Sequence, residues 1–352
     1  MINKVLIIRF RRIGDAVLST VICSTIRKNF PEAEIHYLLY DPINTLFEHH
    51  PDIDKVISFS GKDGVGSYLK RVWRLMRKEK YDVIIDTRTT LTSLCFSWFS
   101  LKTKYRIGTR KSYSFIGHNY RIANQKDETL DEVSRNLLLL KPLEQLKPLE
   151  YVSDFRLYVT SEESRDFHSF MKQKGIDFSK PVIICTPFTR VKGKAWHMER
   201  MKEVLRLMIE TYDAQLIFNY NEQEKEAAFQ LFREMKEDKH LFVHIAADSI
   251  RKLAAMCLQA DFFFGNEGGP RHIAQALQVH SFAIYPPWVD KTKWLPNPTE
   301  CNQGISSRDL ISPDEWKSLT DKERFERITV EEVWARLHPM LDKFLTPKSG
   351  II

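Results

Sequence analysis

Cysteine is scarce in this 352-residue chain. Its five cysteines (Cys23, Cys95, Cys185, Cys257, Cys301) stand far apart and form no C-x-x-C pair. An odd, scattered set argues against a disulfide framework or a zinc ribbon and for a reducing compartment. Long apolar runs are also missing: the longest, 91–101, is about half the ~20 residues that a spanning helix needs. The opening Met1-Ile-Asn-Lys-Val-Leu-Ile-Ile-Arg-Phe-Arg-Arg puts charge after its apolar run and offers no cleavage site. It reads as a first strand and not as a signal peptide. The expected location is therefore cytoplasmic, either free or peripheral on the cytoplasmic face of a membrane. With 13 Gly and 15 Pro, no heptad run and no repeat at solenoid periods, collagen-like, disordered and coiled-coil classes drop out.

What remains is an ordinary globular composition, 43% hydrophobic and 28% charged, long enough for two domains at roughly 150 residues each. The net charge of +7 is unevenly divided. Residues 1–150 hold 25 Lys and Arg against 17 Asp and Glu, and residues 151–352 hold 28 against 29. From Thr87 to Lys126 acidic residues are absent altogether, while Arg88, Lys102, Lys104, Arg106, Arg110, Lys111, Arg121 and Lys126 are basic. Such a field suits a polyanion: nucleic acid, acidic lipid headgroups or a phosphorylated glycan. A solvated basic face explains the charge alone equally well.

Short β-branched runs alternate with amphipathic stretches in both halves. The pattern predicts strands at 5–9, 34–39, 55–59 and 82–86, a helix at 15–29 ended by Pro31, and a basic-faced helix around 68–78. Thr160-Ser-Glu-Glu163 is a capping box, and Gly175 ends the helix it starts. The alternation then restarts, with strands at 182–186, 215–218, 241–245, 261–264 and 281–285. Helices are predicted at 197–210, 222–236, 249–259 and 270–277. Residues 297–324 read as a long polar loop, and Thr329-x-x-Glu332 caps a last helix reaching about 344. Strands separated by helix-length segments imply parallel sheets covered on both faces, here two doubly wound domains facing a central cleft. The expected division is an N-terminal domain at 1–160, a second at 161–328, and a closing segment at 329–352.

In such sheets ligands bind beyond the carboxyl ends of the strands, and four segments there carry chemistry. In Arg11-Arg12-Ile13-Gly14-Asp15, Asp15 is either a helix N-cap or a carboxylate placed to accept a proton. The absence of G-x-G-x-x-G disfavours a dinucleotide site in this half. In Thr189-Arg190-Val191-Lys192-Gly193-Lys194, hydroxyl, cations and glycine suit a diphosphate, although the spacing misses the P-loop pattern. In Gly265-Asn266-Glu267-Gly268-Gly269-Pro270-Arg271-His272, a buried strand runs into two glycines. Pro270 suits a first helical turn whose free N–H groups and dipole attract phosphate. Glu267 is a candidate for sugar hydroxyls, and His272 by itself reads more simply as a packed histidine. In Asn219–Glu224, an acid at a strand end can take both ribose hydroxyls.

Together these motifs resemble the ADP-heptose:lipopolysaccharide heptosyltransferases of glycosyltransferase family 9. The resemblance spans nearly the whole chain. It includes the opening strand and Arg-Arg-Ile-Gly-Asp turn, Lys194-Ala-Trp196, Glu224, Gly265–Leu277, Tyr285-Pro-Pro with Trp294-Leu-Pro296, and the Ile-Thr-Val-Glu-Glu-Val at 328–333.

The resemblance implies a glycosyltransferase-B fold, an α/β pair of Rossmann-like domains with an N-terminal acceptor domain and a C-terminal nucleotide-sugar domain. The last helix would return to the N-terminal domain. It also implies inverting, metal-independent transfer of heptose from an ADP-sugar to the lipopolysaccharide inner core at the inner membrane surface, with no cofactor and no nucleic-acid partner. Asp15 falls on the family's catalytic aspartate and Lys194 on its phosphate lysine. Thr189, Arg190, Lys192, Glu224, Glu267, Gly268, Gly269 and His272 would bind the donor, and Arg11, Arg12, Arg88 and Arg110 the acceptor. The family usually carries Asp-Thr-Gly or Asp-Ser-Gly where this chain has Glu267-Gly268-Gly269. That departure leaves open a different nucleotide-sugar donor. A further alternative is a non-catalytic nucleotide- or nucleic-acid-binding protein, resting on the basic stretch 87–126.

Overall fold

Apolar β-branched runs dictate strands covered on both faces, and the chain realises them twice. The computed structural model describes residues 2–60, 63–123, 130–191 and 193–345. The chain divides into two units between Tyr158 and Val159. In the first unit β1 (Lys4–Ile8), β2 (Glu34–Tyr40), β3 (Lys55–Phe59), β4 (Val83–Asp86), β5 (Tyr105–Thr109) and β6 (Tyr120–Ile122) form a parallel sheet. Its order is β3-β2-β1-β4-β5-β6.

The second unit repeats the scheme with β7 (Val182–Thr186), β8 (Gln215–Phe218), β9 (Leu241–Phe242), β10 (Phe262–Asn266), β11 (His280–Tyr285) and β12 (Asn302–Ser306). These run in the order β12-β11-β10-β7-β8-β9, all parallel. Read from each unit's own first strand, both orders are 3-2-1-4-5-6, the doubly wound arrangement. The order reverses between β1 and β4 in one unit and between β7 and β10 in the other.

Those central strands are the most apolar. Val5, Leu6, Ile7 and Ile8 of β1 and Phe262, Phe263 and Phe264 of β10 have no exposed surface. Runs apolar on both faces, without alternation, are what helix-covered parallel strands require.

Several elements differ from the sequence expectation. The helix predicted at 15–29 is two helices, Ile13–Leu18 and Thr20–Asn29, meeting at Ser19. There Ser19 Oγ donates to the Ala16 carbonyl and Thr20 Oγ1 to the Val17 carbonyl, competing with the helical ladder. β5, β6 and the helix Leu91–Trp98 were not anticipated, and the strand expected at 241–245 is only β9. The polar stretch 297–324 contains β12, which pairs with β11, and the short helix Pro313–Ser318, and a second, Asp321–Glu326, begins within it.

The closing helix Val330–Phe344 was expected to return to the first domain. Its apolar stripe (Val330, Val333, Leu337, Met340, Leu341) packs instead in the second unit's core, against the helix Met198–Tyr212. Trp196 Nε1 donates to the Ile328 carbonyl at 2.9 Å and Tyr212 Oη to Asp342 at 2.6 Å, so polar contacts fix the same docking. The capping box at Thr160 and Glu163 is present, at the start of the helix Ser161–Gln173.

Candidate active site

In the first unit, β1 is followed directly by Arg9, which sits at the switch point. Its guanidinium is buried and ion-paired to Asp15, with Glu132 at 3.6 Å. Thr87, just after β4, offers Arg9 its hydroxyl at 3.3 Å and its carbonyl at 3.4 Å. Thr87 Oγ1 itself donates to the Ile8 carbonyl at 2.9 Å. Asp15 is therefore no N-cap: the helix Ile13–Leu18 has no side-chain cap, and buried Asp15 turns its carboxylate to Arg9. The turn that delivers it is strained. Arg11 and Arg12 both have positive φ, 63° and 59°, in a region that costs a non-glycine residue about 1–3 kcal/mol.

The four arginines of the expected acceptor set share this edge. Arg11 and Arg12 follow β1, Arg88 follows β4 and Arg110 follows β5. Arg88 Nη1 lies 3.5 Å from the Phe10 carbonyl, and Lys111 Nζ donates to the Arg88 carbonyl at 2.9 Å. All four side chains are exposed, and among the described residues those of Arg11, Arg12 and Arg110 have no hydrogen-bond or ionic partner.

Asp86, closing β4, is wholly buried. Its Oδ1 accepts from the backbone N–H groups of Arg88 at 3.1 Å and Thr89 at 2.8 Å, and its Oδ2 lies 3.6 Å from Nε2 of buried His118. Burial raises the Asp86 carboxyl above its ordinary range, and burial, with help from Arg106, drives His118 down to about 4.

In the second unit, the residues after β7 and β10 are tied together by Asn266. Its Nδ2 donates to the carbonyls of Thr186 at 3.1 Å and Pro187 at 2.8 Å, while its Oδ1 accepts from Trp196 N at 2.8 Å. This clamp brings the Lys194 loop onto the strand end, where the Lys194 ammonium pairs with the Glu267 carboxylate. Gly265 makes the approach possible. Its φ is +148°, and a Cβ there would lie 2.3 Å from Thr186 Oγ1 and 2.5 Å from the Thr186 carbonyl oxygen.

Gly268 caps the helix Gly269–Ala276, with Pro270 in its first turn. The first N–H groups of that helix lack intrahelical acceptors and face the strand end. Thr189 Oγ1 donates to the Val191 carbonyl at 2.9 Å, and Arg190 is exposed. Lys192 lies outside the described residues. Glu224 precedes the helix Lys225–Glu234, and its Oε2 accepts from Asn221 N at 3.0 Å.

His272 is 2% exposed and takes a hydrogen bond on Nδ1 from Arg271 at 2.9 Å. Burial, then the charges of Arg271 and Lys194, hold it well below its ordinary range, so the imidazole is neutral. Arg271, fully buried, also donates to the Trp294 carbonyl at 2.6 Å and to Gln275 at 2.6 Å. Among the described residues, one group has metal-ligand spacing, Glu34–His36–Glu79. It lies near the opposite edge of the first sheet, and lysines already neutralise it: Lys4 on Glu34 at 2.7 Å and Glu79 at 3.0 Å, and Lys55 on Glu79 at 3.0 Å.

A family model described as glycosyltransferase family 9 (heptosyltransferase) matches residues 69–310. The chain belongs to glycosyltransferase family 9. It is a glycosyltransferase of the heptosyltransferase type. Lipopolysaccharide heptosyltransferase 3 of Escherichia coli K12 is 23% identical over 299 residues, covering 80% of this chain and 82% of its own. Lipopolysaccharide heptosyltransferase 1 of Campylobacter coli is 23% identical over 294 residues, covering 80% and 83%.

The fold is shared with the family 9 glycosyltransferase of Veillonella parvula (TM-score 0.81, 16% identity, 97% of each chain). It is shared also with E. coli ADP-heptose heptosyltransferase II (TM-score 0.76, 18% identity, 97% and 99%). These likenesses place the molecule in the glycosyltransferase-B class.

Within that family frame, sequence reasoning passed over Arg9, Thr87, Glu132 and Asn266. Arg9 and Asn266 were detectable as the polar residues that close Val-Leu-Ile-Ile and Phe-Phe-Phe-Gly. Glu132 was not, because it reaches Arg9 from a helix 123 positions away.

Proposed function

We propose that the protein transfers a heptose from ADP-heptose to a phosphorylated sugar of the lipopolysaccharide inner core, with inversion and without a metal, at the cytoplasmic face of the inner membrane. The observation that carries the reading is the pair of ionic devices at equivalent switch points, Asp15 held on Arg9 and Lys194 held beside the Gly268–Gly269 turn.

In the transfer, the acceptor hydroxyl attacks the anomeric carbon on the face opposite the diphosphate. A carbon–oxygen bond forms there, the bond to the β-phosphate oxygen breaks, the hydroxyl proton passes to Asp15 and the electron pair leaves on ADP. Arg9 orients the Asp15 carboxylate through Oδ1. Arg11, Arg12, Arg88 and Arg110 give the acceptor's phosphates a set of exposed guanidinium groups, whose forked geometry suits such anions.

On the donor side, Lys194 and the N–H groups of the helix Gly269–Ala276 neutralise the charge that grows on the diphosphate, an electrostatic contribution often the largest in catalysis. Thr189, Arg190 and Lys192 add donors to the same anion, and Glu224 takes the ribose hydroxyls. Neutral His272 backs the loop from inside. Glu267 acts through Lys194, whose ammonium it holds until the diphosphate displaces it.

The experiment is mass spectrometry of the products from ADP-heptose and a deacylated inner-core acceptor. A mass gain of one heptose supports the reading, and no transfer under conditions where ADP binds overturns it. The engagement of Glu267 by Lys194 favours a second reading in which the donor sugar differs. Thermal shifts with ADP-, UDP- and GDP-sugars separate the two, and stabilisation by UDP- or GDP-sugars alone selects the second.

A further inference from the structure

We propose that the helix Leu91–Trp98, the segment 99–104 and the turn Ser114–Ile116 form a docking surface for an anionic phospholipid bilayer. Side chains that normally fold inward point out here: Leu91 is 67% exposed, Trp98 51%, Leu101 57%, Phe115 65% and Ile116 49%. Leu91 and Trp98, two helical turns apart, share one face of their helix, while Leu94 and Phe96 take up the buried side. The pieces are contiguous. Gly117 lies directly against Leu94 and Ser97, and Arg106 binds the carbonyls of Leu101 at 2.6 Å and Gly117 at 2.7 Å.

Along the segment that builds this apolar patch the charge has one sign. No acidic residue occurs between Thr87 and Lys126, and Lys102, Lys104, Arg110 and Arg121 are exposed. The adjoining helix Val65–Glu79, joined by Tyr68 Oη to the Thr92 carbonyl at 2.8 Å, exposes Trp73 (45%) together with Arg74 and Arg77.

Exposed aliphatic and aromatic side chains gain free energy by entering the headgroup–acyl boundary, and lysine and arginine gain from the anionic surface potential. A bilayer rewards both features at once. A nucleic acid would reward the cations and the rings but not Leu91, Leu101 or Ile116. No helix among the described residues is long and apolar enough to cross a membrane, so the surface would hold the chain on the bilayer without spanning it.

The inference deepens the reading above by naming how the enzyme reaches a lipid-borne acceptor. Its test needs neither sugar nor nucleotide, so the two fail separately. The full-length chain is sedimented with vesicles of equal phosphatidylglycerol and phosphatidylcholine, and with vesicles of phosphatidylcholine alone. The expected result is binding to the anionic vesicles, lowered about tenfold or more by Trp98→Ser with Phe115→Ser and by Lys102→Glu with Lys104→Glu.

Brominated phosphatidylglycerol should quench tryptophan emission, by an amount that falls in Trp98→Phe. An unchanged melting temperature and an unchanged circular dichroism spectrum show that the variants are folded. Equal binding to neutral vesicles overturns the proposal, as does wild-type affinity of the Trp98→Ser, Phe115→Ser variant. Displacement of the chain from vesicles by single-stranded RNA, with a binding loss in the lysine variant alone, assigns the surface to nucleic acid instead.

Discussion

The two units share one strand order yet equip their switch points differently. After β1 the first unit places a strained, arginine-rich turn and an ion pair between the residue just past the strand and a helix residue, Arg9 with Asp15. After β10 the second places glycines, a short helix and an ion pair between two loops, Lys194 with Glu267. A carboxylate fixed by a buried guanidinium suits a proton acceptor. An ammonium beside free helix N–H groups suits an anion. The lesson is that the doubly wound topology supplies the position and the side chains at the strand ends supply the task.

The sharpest way to break that comparison is to remove one device at a time. Asp15→Asn should lower kcat about 10²–10⁴-fold and leave the Kd for ADP unchanged by calorimetry. Lys194→Ala should cost about 2.7–4 kcal/mol of transition-state stabilisation and also weaken ADP binding. If Asp15→Asn weakened ADP binding as much as Lys194→Ala does, the division of labour between units would be wrong.

Next in size is Gly265→Ala. A Cβ 2.3 Å from Thr186 Oγ1 and 2.5 Å from its carbonyl oxygen, at a φ that L-residues avoid, should destabilise the second unit by about 3 kcal/mol or more. Chemical denaturation would show this loss. A melt like the wild type would mean that β7 and β10 do not approach so closely.

A smaller, pH-dependent effect belongs to the first unit. His118 is driven from an ordinary value near 6.5 to about 4 in the folded protein. Between those values the unfolded chain binds a proton that the folded one does not, so stability is intact above pH 6.5, falls as pH drops from 6.5 to 4, and loses nothing further to this residue below 4. The loss from this residue is at most about 3–4 kcal/mol. Melting temperatures of wild type and His118→Gln across pH 7 to 4 should therefore converge toward acid. Parallel curves would remove His118 from the acid sensitivity.

The smallest effect is expected at Gly268→Ala. Its backbone is extended and a Cβ would meet only Pro270 Cδ, at 3.7 Å. Stability should change by less than about 1 kcal/mol, so any loss of ADP affinity reports interference with the bound diphosphate. Unaltered ADP affinity would mean that the diphosphate does not approach this glycine.

The contrast between Gly265 and Gly268 shows where sequence reading stops. The run Phe-Phe-Phe-Gly-Asn-Glu-Gly-Gly-Pro announces a buried strand, a turn and a helix start. It does not tell which glycine bears the steric constraint, because the conflicting atoms belong to Thr186, far away in the chain. In the same way Asp15 was legible as either a cap or a cleft carboxylate. The alternatives separated only when Asp15 was seen paired with Arg9. The amphipathic stripe of Val330–Phe344 was legible too, but not its partner, since many apolar surfaces would satisfy the same stripe.

β12 shows the opposite failure. Asn-Gln-Gly-Ile-Ser has too little apolar character to announce a strand, and an edge position beside β11 asks for little. The sequence alone determined the alternation of strands and helices, the parallel sheets, the excess of positive charge in the first half and the candidate residues at the strand ends, because periodicity and composition are local. Tertiary structure decided which of those residues meet, because burial and ion pairing join atoms separated by tens or hundreds of positions. It also turned a stretch without acids into a surface where Trp98 and Phe115 stand exposed among lysines.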